Sequence, residues 1–286
     1  MKVAVIVNTL KNEAIDFLPI VIDKLITIGI SPLIMENTKI FYNSDKVTYC
    51  SCHKEIVKEC DVVITIGGDG TIIHMARHCA EYNKPLLGIN FGRVGFVATI
   101  EPDEIDKLSM LLTGEYVSQS RMLLKVTVEN NNDSECLYAM NDAVISRGSL
   151  SRMMDLSVSV NDEKICDYRA DGIIFSTPTG STAYSLSAGG PVISPDIECI
   201  LLTPICPHSL FSRSVIFKEN DILKVQSISG SSPNSEAFLT VDGQYYLPLH
   251  NDTRITIKKY EKPFTLISME PKNFYTVLND KLNERG

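Results

Sequence analysis

The chain lacks any surplus of positive charge: 27 Lys and Arg stand against 35 Asp and Glu in 286 residues, a formal net charge of −8. Nucleic acids and acidic phospholipid surfaces are held by clustered cations, so a broad footprint on either is disfavoured. A small anionic ligand needs only a local pocket and stays open. Long apolar runs are missing too. Val3–Val7 stops at Asn8, short of a secretion signal, and the longest uncharged run, Gly172–Pro195, is too rich in Ser, Thr, Gly and Pro to span a membrane. Eight cysteines (Cys50, Cys52, Cys60, Cys79, Cys136, Cys166, Cys199, Cys206) are scattered through a chain long enough to bury a core without disulfides. A cytoplasmic, reduced protein of about two domains is expected.

What is present changes character near residue 120. Before it, short apolar runs (Lys2–Val7, Pro32–Met35, Asp61–Ile66, Pro85–Asn90) alternate with segments of helical spacing such as Phe17–Ile26. Pro102, with Asp103 and Glu104 at its positive dipole end, opens a predicted helix to about Leu112. That alternation marks a parallel sheet covered on both faces. From Arg121 the period falls to two, as in Leu124–Glu129, Leu156–Val160 and Arg254–Lys258, punctuated by turns such as Asn130–Asp133 and Gly230–Asn234. A mostly antiparallel second domain follows from that pattern. Phe274–Leu282 reads as a further helix.

Gly67-Gly68-Asp69-Gly70-Thr71 follows the strand ending at Ile66 and precedes a predicted helix from Thr71 to about Glu81. A glycine turn there lets backbone amides and a helix N-terminus face a phosphate. Asp69 is the anomaly, because a carboxylate repels phosphate unless it binds a metal or takes a proton from a hydroxyl. A plain tight turn with Asp69 capping the helix is the simpler alternative. The G-x-x-x-x-G-K-[ST] loop, the G-x-G-x-x-G turn and the protein-kinase motifs are all absent.

The five-residue turn is similar to the motif shared by NAD kinases, diacylglycerol and sphingosine kinases and, more distantly, phosphofructokinases. Downstream segments narrow the resemblance to NAD kinases. Gly88–Phe96 resembles a segment whose Gly-Phe pair lines an adenine pocket. Asn141-Asp142 stands where the family typically has Asn-Glu, so Asn141 carries over more directly than Asp142. Thr177–Tyr184, within Tyr168–Ser185, is a close copy of the most specific motif, and Leu239–Gln244 resembles a strand and turn near the reacting ribose. An Asp-Gly hairpin is the simpler reading of that last segment.

The resemblance, in family order over residues 2 to about 268, implies an α/β domain with a Rossmann-like parallel sheet over 1–120, joined by 268–286. A β-rich, sandwich-like NAD-binding domain is implied over 121–267, with catalysis between the two. It implies transfer of the γ-phosphoryl of ATP, or of another donor such as polyphosphate, to the adenosine-ribose 2′-hydroxyl of NAD, giving NADP. Asp69 is then the general base, or the group that orients this hydroxyl with a metal. Gly68, Gly70, Thr71, Phe96, Asn141, Asp142, Arg169, Asp171, Thr179, Ser181, Thr182, Ala183, Tyr184, Ser187 and Asp242 are the implied binding residues, Asp171 on the nicotinamide side. Mg2+ or another divalent cation is expected to travel with ATP, and a homodimer or homotetramer is implied. The hydroxyl-rich turn is expected to give backbone amides and Ser/Thr donors to ribose and pyrophosphate without placing a cation there. A lipid kinase and a non-enzymatic dinucleotide sensor are the alternatives. His74 and His78, four apart beside Cys79, and Cys50-x-Cys52-His53 with Cys60 lack complete zinc spacing, so no protein-held metal is assigned. Arg93, Arg147, Arg169 and Arg213 are candidate phosphate partners that one sequence cannot rank.

Overall fold

The computed structural model describes residues 1–91, 96–97, 100–130, 133–148, 153–208, 212–227, 237–250, 253–270 and 273–284. Arg93 and the turn residues 131–132 and 230–234 lie outside them. In chain order the strands are β1 (Lys2–Val7), β2 (Ser31–Met35), β3 (Thr48–Cys50), β4 (Val62–Gly67), β5 (Leu86–Asn90) and β6 (Val117–Arg121). Then come β7 (Leu124–Glu129), β8 (Ser134–Ala139), β9 (Asp142–Arg147), β10 (Met154–Val160), β11 (Glu163–Ala170) and β12 (Gly172–Ser176). Last are β13 (Cys199–Ile205), β14 (Val215–Lys218), β15 (Leu223–Ser227), β16 (Ala237–Val241), β17 (Tyr245–Leu249), β18 (Arg254–Lys259) and β19 (Phe264–Ser268). The α-helices are α1 (Asn12–Thr27), α2 (His53–Glu59), α3 (Asp69–Glu81), α4 (Met110–Thr113), α5 (Tyr184–Ser187) and α6 (Phe274–Glu284).

Two compact units result, residues 1–120 with 263–286, and residues 121–262. The sheet of the first runs β3-β2-β1-β4-β5-β19-β6, and its pairs from β3 through to β19 are parallel. The apolar runs make this possible: β4 and β5 are buried at every position, as strands covered on both faces must be. One face is covered by α1, whose Ala14, Leu18, Val21, Ile22 and Leu25 recur with helical spacing and are buried. The chain winds outward from β1 to β2 and β3, then crosses back to β4 on the other side of β1. Ligands of such sheets gather at this reversal, beyond the C-terminal ends of the two strands.

The second unit is built from two six-stranded sheets, β11-β10-β15-β18-β7-β8 and β14-β13-β12-β9-β16-β17. Its pairs are antiparallel. Alternate residues of β7, Leu124, Val126 and Val128, join Ala143 and Ile145 of β9 and Ile173 and Phe175 of β12 in one core, so the sheets form a sandwich.

Three local expectations change. The helix after the glycine turn begins at Asp69, not Thr71, with Gly68 as its N-cap. Asp69 is therefore not the cap. The helix expected from Pro102 is a 3-10 helix over Pro102–Ser109 that becomes α-helical only at α4. Its start is fixed by reciprocal hydrogen bonds between Glu101 and Glu104, including Glu101 N–H to Glu104 at 2.9 Å. Among the described residues no helix is long and apolar enough to cross a membrane. Leu18 is fully buried against the parallel sheet, so Leu18→Ala is expected to cost about 2–5 kcal/mol, read from chemical denaturation midpoints.

Candidate active site

The reversal point of the parallel sheet is where the glycine turn sits. Asn8, just past β1, donates its backbone N–H to Ile66 of β4 at 2.9 Å, keeping the two strand ends together. A Cβ on Gly67 would lie 2.3 Å from Thr71 Oγ1 and 3.1 Å from Asn8 Cβ, so only glycine lets the chain turn straight from β4 into α3. Asp69 occupies the first turn of α3, where a carboxylate complements the helix dipole. Its Oδ2 accepts the Phe96 N–H at 2.9 Å. Gly70 is exposed and Thr71 half-buried on the same first turn.

One residue there escaped the sequence reading. Lys11 donates from Nζ to the Phe91 carbonyl at 2.5 Å, and a Cβ on Gly68 would stand 3.7 Å from that ammonium. A cation thus stands beside the amide end of α3. The signal was available, since Lys11 lies in the loop after β1, one of the two strands flanking the reversal. Phe96, half-buried, has its ring 6.4 Å from that of Phe274 in α6.

The second unit gathers the downstream motifs around β9, β12 and the β16–β17 turn. Asp142 stands opposite Ser176 in the β9–β12 register. Beyond β12 the chain makes a 3-10 turn, Thr179–Thr182, and then α5. The hydroxyls of this turn work internally. Thr177 Oγ1 donates to the Met140 carbonyl at 2.5 Å and accepts the Gly180 N–H at 3.0 Å. Ser181 Oγ donates to Pro178 O at 2.6 Å and accepts the Ile193 N–H at 3.0 Å, while Thr182 Oγ1 donates to Thr179 O at 3.2 Å. The hydroxyl donors of Thr177, Ser181 and Thr182 are thus committed within the protein. Thr179, Ser181 and Thr182 are buried, Ala183 is half-buried, and Tyr184 (47% exposed) and Ser187 face solvent.

Asp171 is held by Arg147, with Nε to Oδ1 at 2.6 Å and the Arg147 N–H2 group to Oδ2 at 3.4 Å. Arg169 and Arg213 are exposed. Asn141 is half-buried, and among the described residues its side-chain amide takes no hydrogen-bond partner. Asp142 is only 5% exposed. Burial and the neighbouring Asp242 charge push its carboxyl up to about 7, against the backbone N–H of Tyr184, which favours the ionised form. Burial pushes Asp242 up to about 6, although three backbone N–H groups oppose the shift.

The structure also gives the histidine pair a third member. His53 lies with its ring 5.2 Å from His74 and 5.8 Å from His78. Burial lowers the His53 and His78 pKa values, the nearby imidazoles adding to the effect. Among the described residues, however, no group of three His, Cys, Asp or Glu side chains is arranged to hold a metal ion.

Comparison with known proteins accords with both halves of this arrangement. Residues 3–116 match the family described as ATP-NAD kinase N-terminal domain, and residues 140–269 match the ATP-NAD kinase C-terminal domain. The chain is 39% identical over 287 aligned positions to an NAD kinase of Caldanaerobacter subterraneus, covering 99% of each chain. It is 39% identical to an NAD kinase of Clostridium perfringens over 87% of this chain and 91% of that protein. Among solved structures, a yeast NADH kinase complexed with NADH superposes with a TM-score of 0.87 at 24% identity, covering 99% of this chain and 87% of that one. An Archaeoglobus fulgidus NAD kinase in complex with ATP gives 0.75 at 23% identity over the whole of both chains.

The buried Asp142 and its half-buried neighbour Asp242 have a consequence for stability. Between about pH 4 and pH 7 the folded chain keeps a carboxyl proton that the unfolded chain has released, so this contribution to stability declines as pH rises. For one retained proton the slope approaches ~1.4 kcal/mol per pH unit. Asp142→Asn is expected to flatten the decline in denaturation midpoint between pH 5 and pH 8; parallel wild-type and variant curves would refute it.

Proposed function

This chain belongs to the NAD kinase family, and from that membership we propose how its residues divide the reaction. The protein is an NAD kinase, transferring a phosphoryl group from ATP to the adenosine-ribose 2′-hydroxyl of NAD to give NADP. The observation that carries the residue assignment is the glycine turn at the reversal of the parallel sheet. There the amide end of α3, the Asp69 carboxylate and the Lys11 ammonium stand together.

Phosphoryl transfer needs an aligned nucleophile and neutralised phosphate oxygens. Gly68, Gly70 and Thr71 offer the start of α3 to the phosphates, with the Lys11 ammonium beside them as a cationic partner. Asp69 takes the proton from the 2′-hydroxyl as the ribose oxygen bonds to the γ-phosphorus and the bond to the bridging oxygen breaks, releasing ADP. Alternatively it orients that hydroxyl. A Mg2+ ion carried by substrate phosphates needs only one or two protein carboxylates. Asp69 is the residue that would hold it, and the ion would supply charge neutralisation. On the NAD side, Asn141 presents an amide without a partner among the described residues, and Tyr184 an exposed ring on which a base can stack. The Asp171–Arg147 ion pair offers the nicotinamide end a fixed polar contact, with Ala183, Ser187, Phe96 and Arg169 as further lining. The buried Thr179, Ser181 and Thr182 shape the backbone of this side. Polyphosphate as an alternative donor to ATP, a homodimer or homotetramer, and a reducing cytoplasmic setting complete the proposal.

A coupled assay with ATP and Mg2+, offering NAD or diacylglycerol as acceptor, tests the reaction: NADP formation supports it, and phosphorylation of the lipid alone overturns it. Asp69→Asn is expected to lower turnover by roughly 10²–10⁴ while leaving NAD affinity intact, the range typical of a lost general base. Wild-type turnover would remove Asp69 from that role. Lys11→Ala is expected to raise the KM for ATP about tenfold, as for a lost charge-assisted contact, with the KM for NAD unchanged. An unaltered KM for ATP would leave Lys11 as a structural tie to Phe91 only.

A further inference from the structure

We infer that Asp242 is a positioning residue for the NAD side of the reaction, fixing the backbone from which Asn141 reaches the substrate rather than touching the dinucleotide itself. The inference rests on the NAD kinase reading and revises the contact role that family resemblance implies for this residue.

The geometry begins with a hairpin. Asp242 and Gly243 take φ values of 52° and 64°, and Gln244 N–H closes on the Val241 carbonyl at 3.0 Å, joining β16 to β17. The left-handed turn directs the Asp242 carboxylate to the start of β9, a hundred residues earlier in the chain. There Oδ2 accepts the Met140 N–H at 2.8 Å, and Oδ1 accepts those of Asn141 at 2.7 Å and Asp142 at 3.0 Å. Three successive amides converging on one anion form a nest of the kind that binds phosphates. In this protein the nest is filled by the chain's own carboxylate. The Asp242 N–H adds a fourth tie, to the Asp142 carbonyl at 2.9 Å.

The other side of Asn141 is held equally closely. Its carbonyl accepts the Thr177 N–H at 2.9 Å, and Thr177 Oγ1 binds the Met140 carbonyl. Gly180 packs against the same peptide so tightly that a Cβ would lie 2.1 Å from the Asn141 oxygen. Both backbone polar groups of Asn141 are thus committed, and its side-chain amide is the group left for a ligand. Three of the carboxylate's acceptor sites are thus given to the chain's own amides, and swinging the side chain away toward NAD would leave those amides without an acceptor, which is costly wherever water is excluded.

A double-mutant cycle on the full-length protein tests this. Asn tolerates the left-handed region, so Asp242→Asn preserves the hairpin while turning a neutral amide toward the three donors. Steady-state KM values for NAD and for ATP would be measured for wild type, Asp242→Asn, Asn141→Ala and the double variant. Asp242→Asn is expected to raise the KM for NAD at least about tenfold, with the KM for ATP unmoved. Added to Asn141→Ala it should contribute little more, because the group it positions is already gone. Effects that multiply in full, or equal rises in both KM values, would overturn the positioning role. If Asp242→Asn does not fold, Asp242→Gly keeps the positive φ without strain and enters the same cycle. A wild-type protein that makes no NADP would instead overturn the kinase reading, so the two failures are told apart.

Discussion

Two close approaches of main chain to main chain or to a packed hydroxyl set the form of this protein. At Gly67 the turn from β4 folds back on Thr71, and at Gly180 the turn after β12 presses on the Asn141 carbonyl; a Cβ at either glycine would sit within 2.3 Å of another atom. Neither approach is a matter of glycine flexibility, because neither residue has a positive φ. What each position requires is the absence of a side chain. The first brings the amide end of α3 to the reversal of a parallel sheet, the second locks an antiparallel strand start against a 3-10 turn. The two units therefore use the same device, a glycine that admits a close approach, on unrelated sheets.

Such backbone presentation explains how a chain of net charge −8 can handle polyanionic substrates. A helix end and a single Lys11 can face phosphates without a broad cationic surface that would also attract nucleic acid. The polar side chains of the second unit are used in the same economical way. Thr177, Ser181 and Thr182 satisfy backbone groups of their own turn and of Met140, so the turn keeps one shape. Asp242 fills a nest that would otherwise be an anion site. The Asp171 carboxylate is paired to Arg147 and hence held in orientation as well as charge.

Much of the fold was legible because burial leaves a direct trace in sequence. The unbroken apolar runs of β4 and β5 announce strands covered on both faces, and the alternation in β7 announces a half-covered one. Local exceptions have local causes. Asp69 and Gly70 are weak helix formers, which hid the true start of α3, yet at a helix N-terminus an acid is favourable and a cap needs no side chain. The segment from Pro102 has helical composition, but nothing in composition separates 3-10 from α over eight residues. At the site, the motifs named the residues and not their partners. Lys11 meets Phe91 eighty positions away, Thr177 meets Met140 thirty-seven away, and Asp242 meets Asn141 a hundred and one away. A hydroxyl or carboxylate reads in sequence as a group available to a ligand; only the fold reveals whether a backbone amide or carbonyl has already claimed it.

That distinction bears most on Asp142. The family usually places Glu there, one methylene longer, and this chain's shorter side chain is nearly buried, next to a second carboxylate and opposite Ser176 on the neighbouring strand, whose buried hydroxyl has no partner among the described residues. Ionising both carboxyls in that setting is unfavourable, so the pair retains a proton near neutrality. A protonated Asp142 donates where an ionised one accepts. With Asp242 bound to its three amides, Asp142 is the member of the pair whose state can change at least cost to the backbone. The strand that carries Asn141 therefore begins with a carboxylate held by three amides and a buried neighbour that burial and that carboxylate push up to about 7.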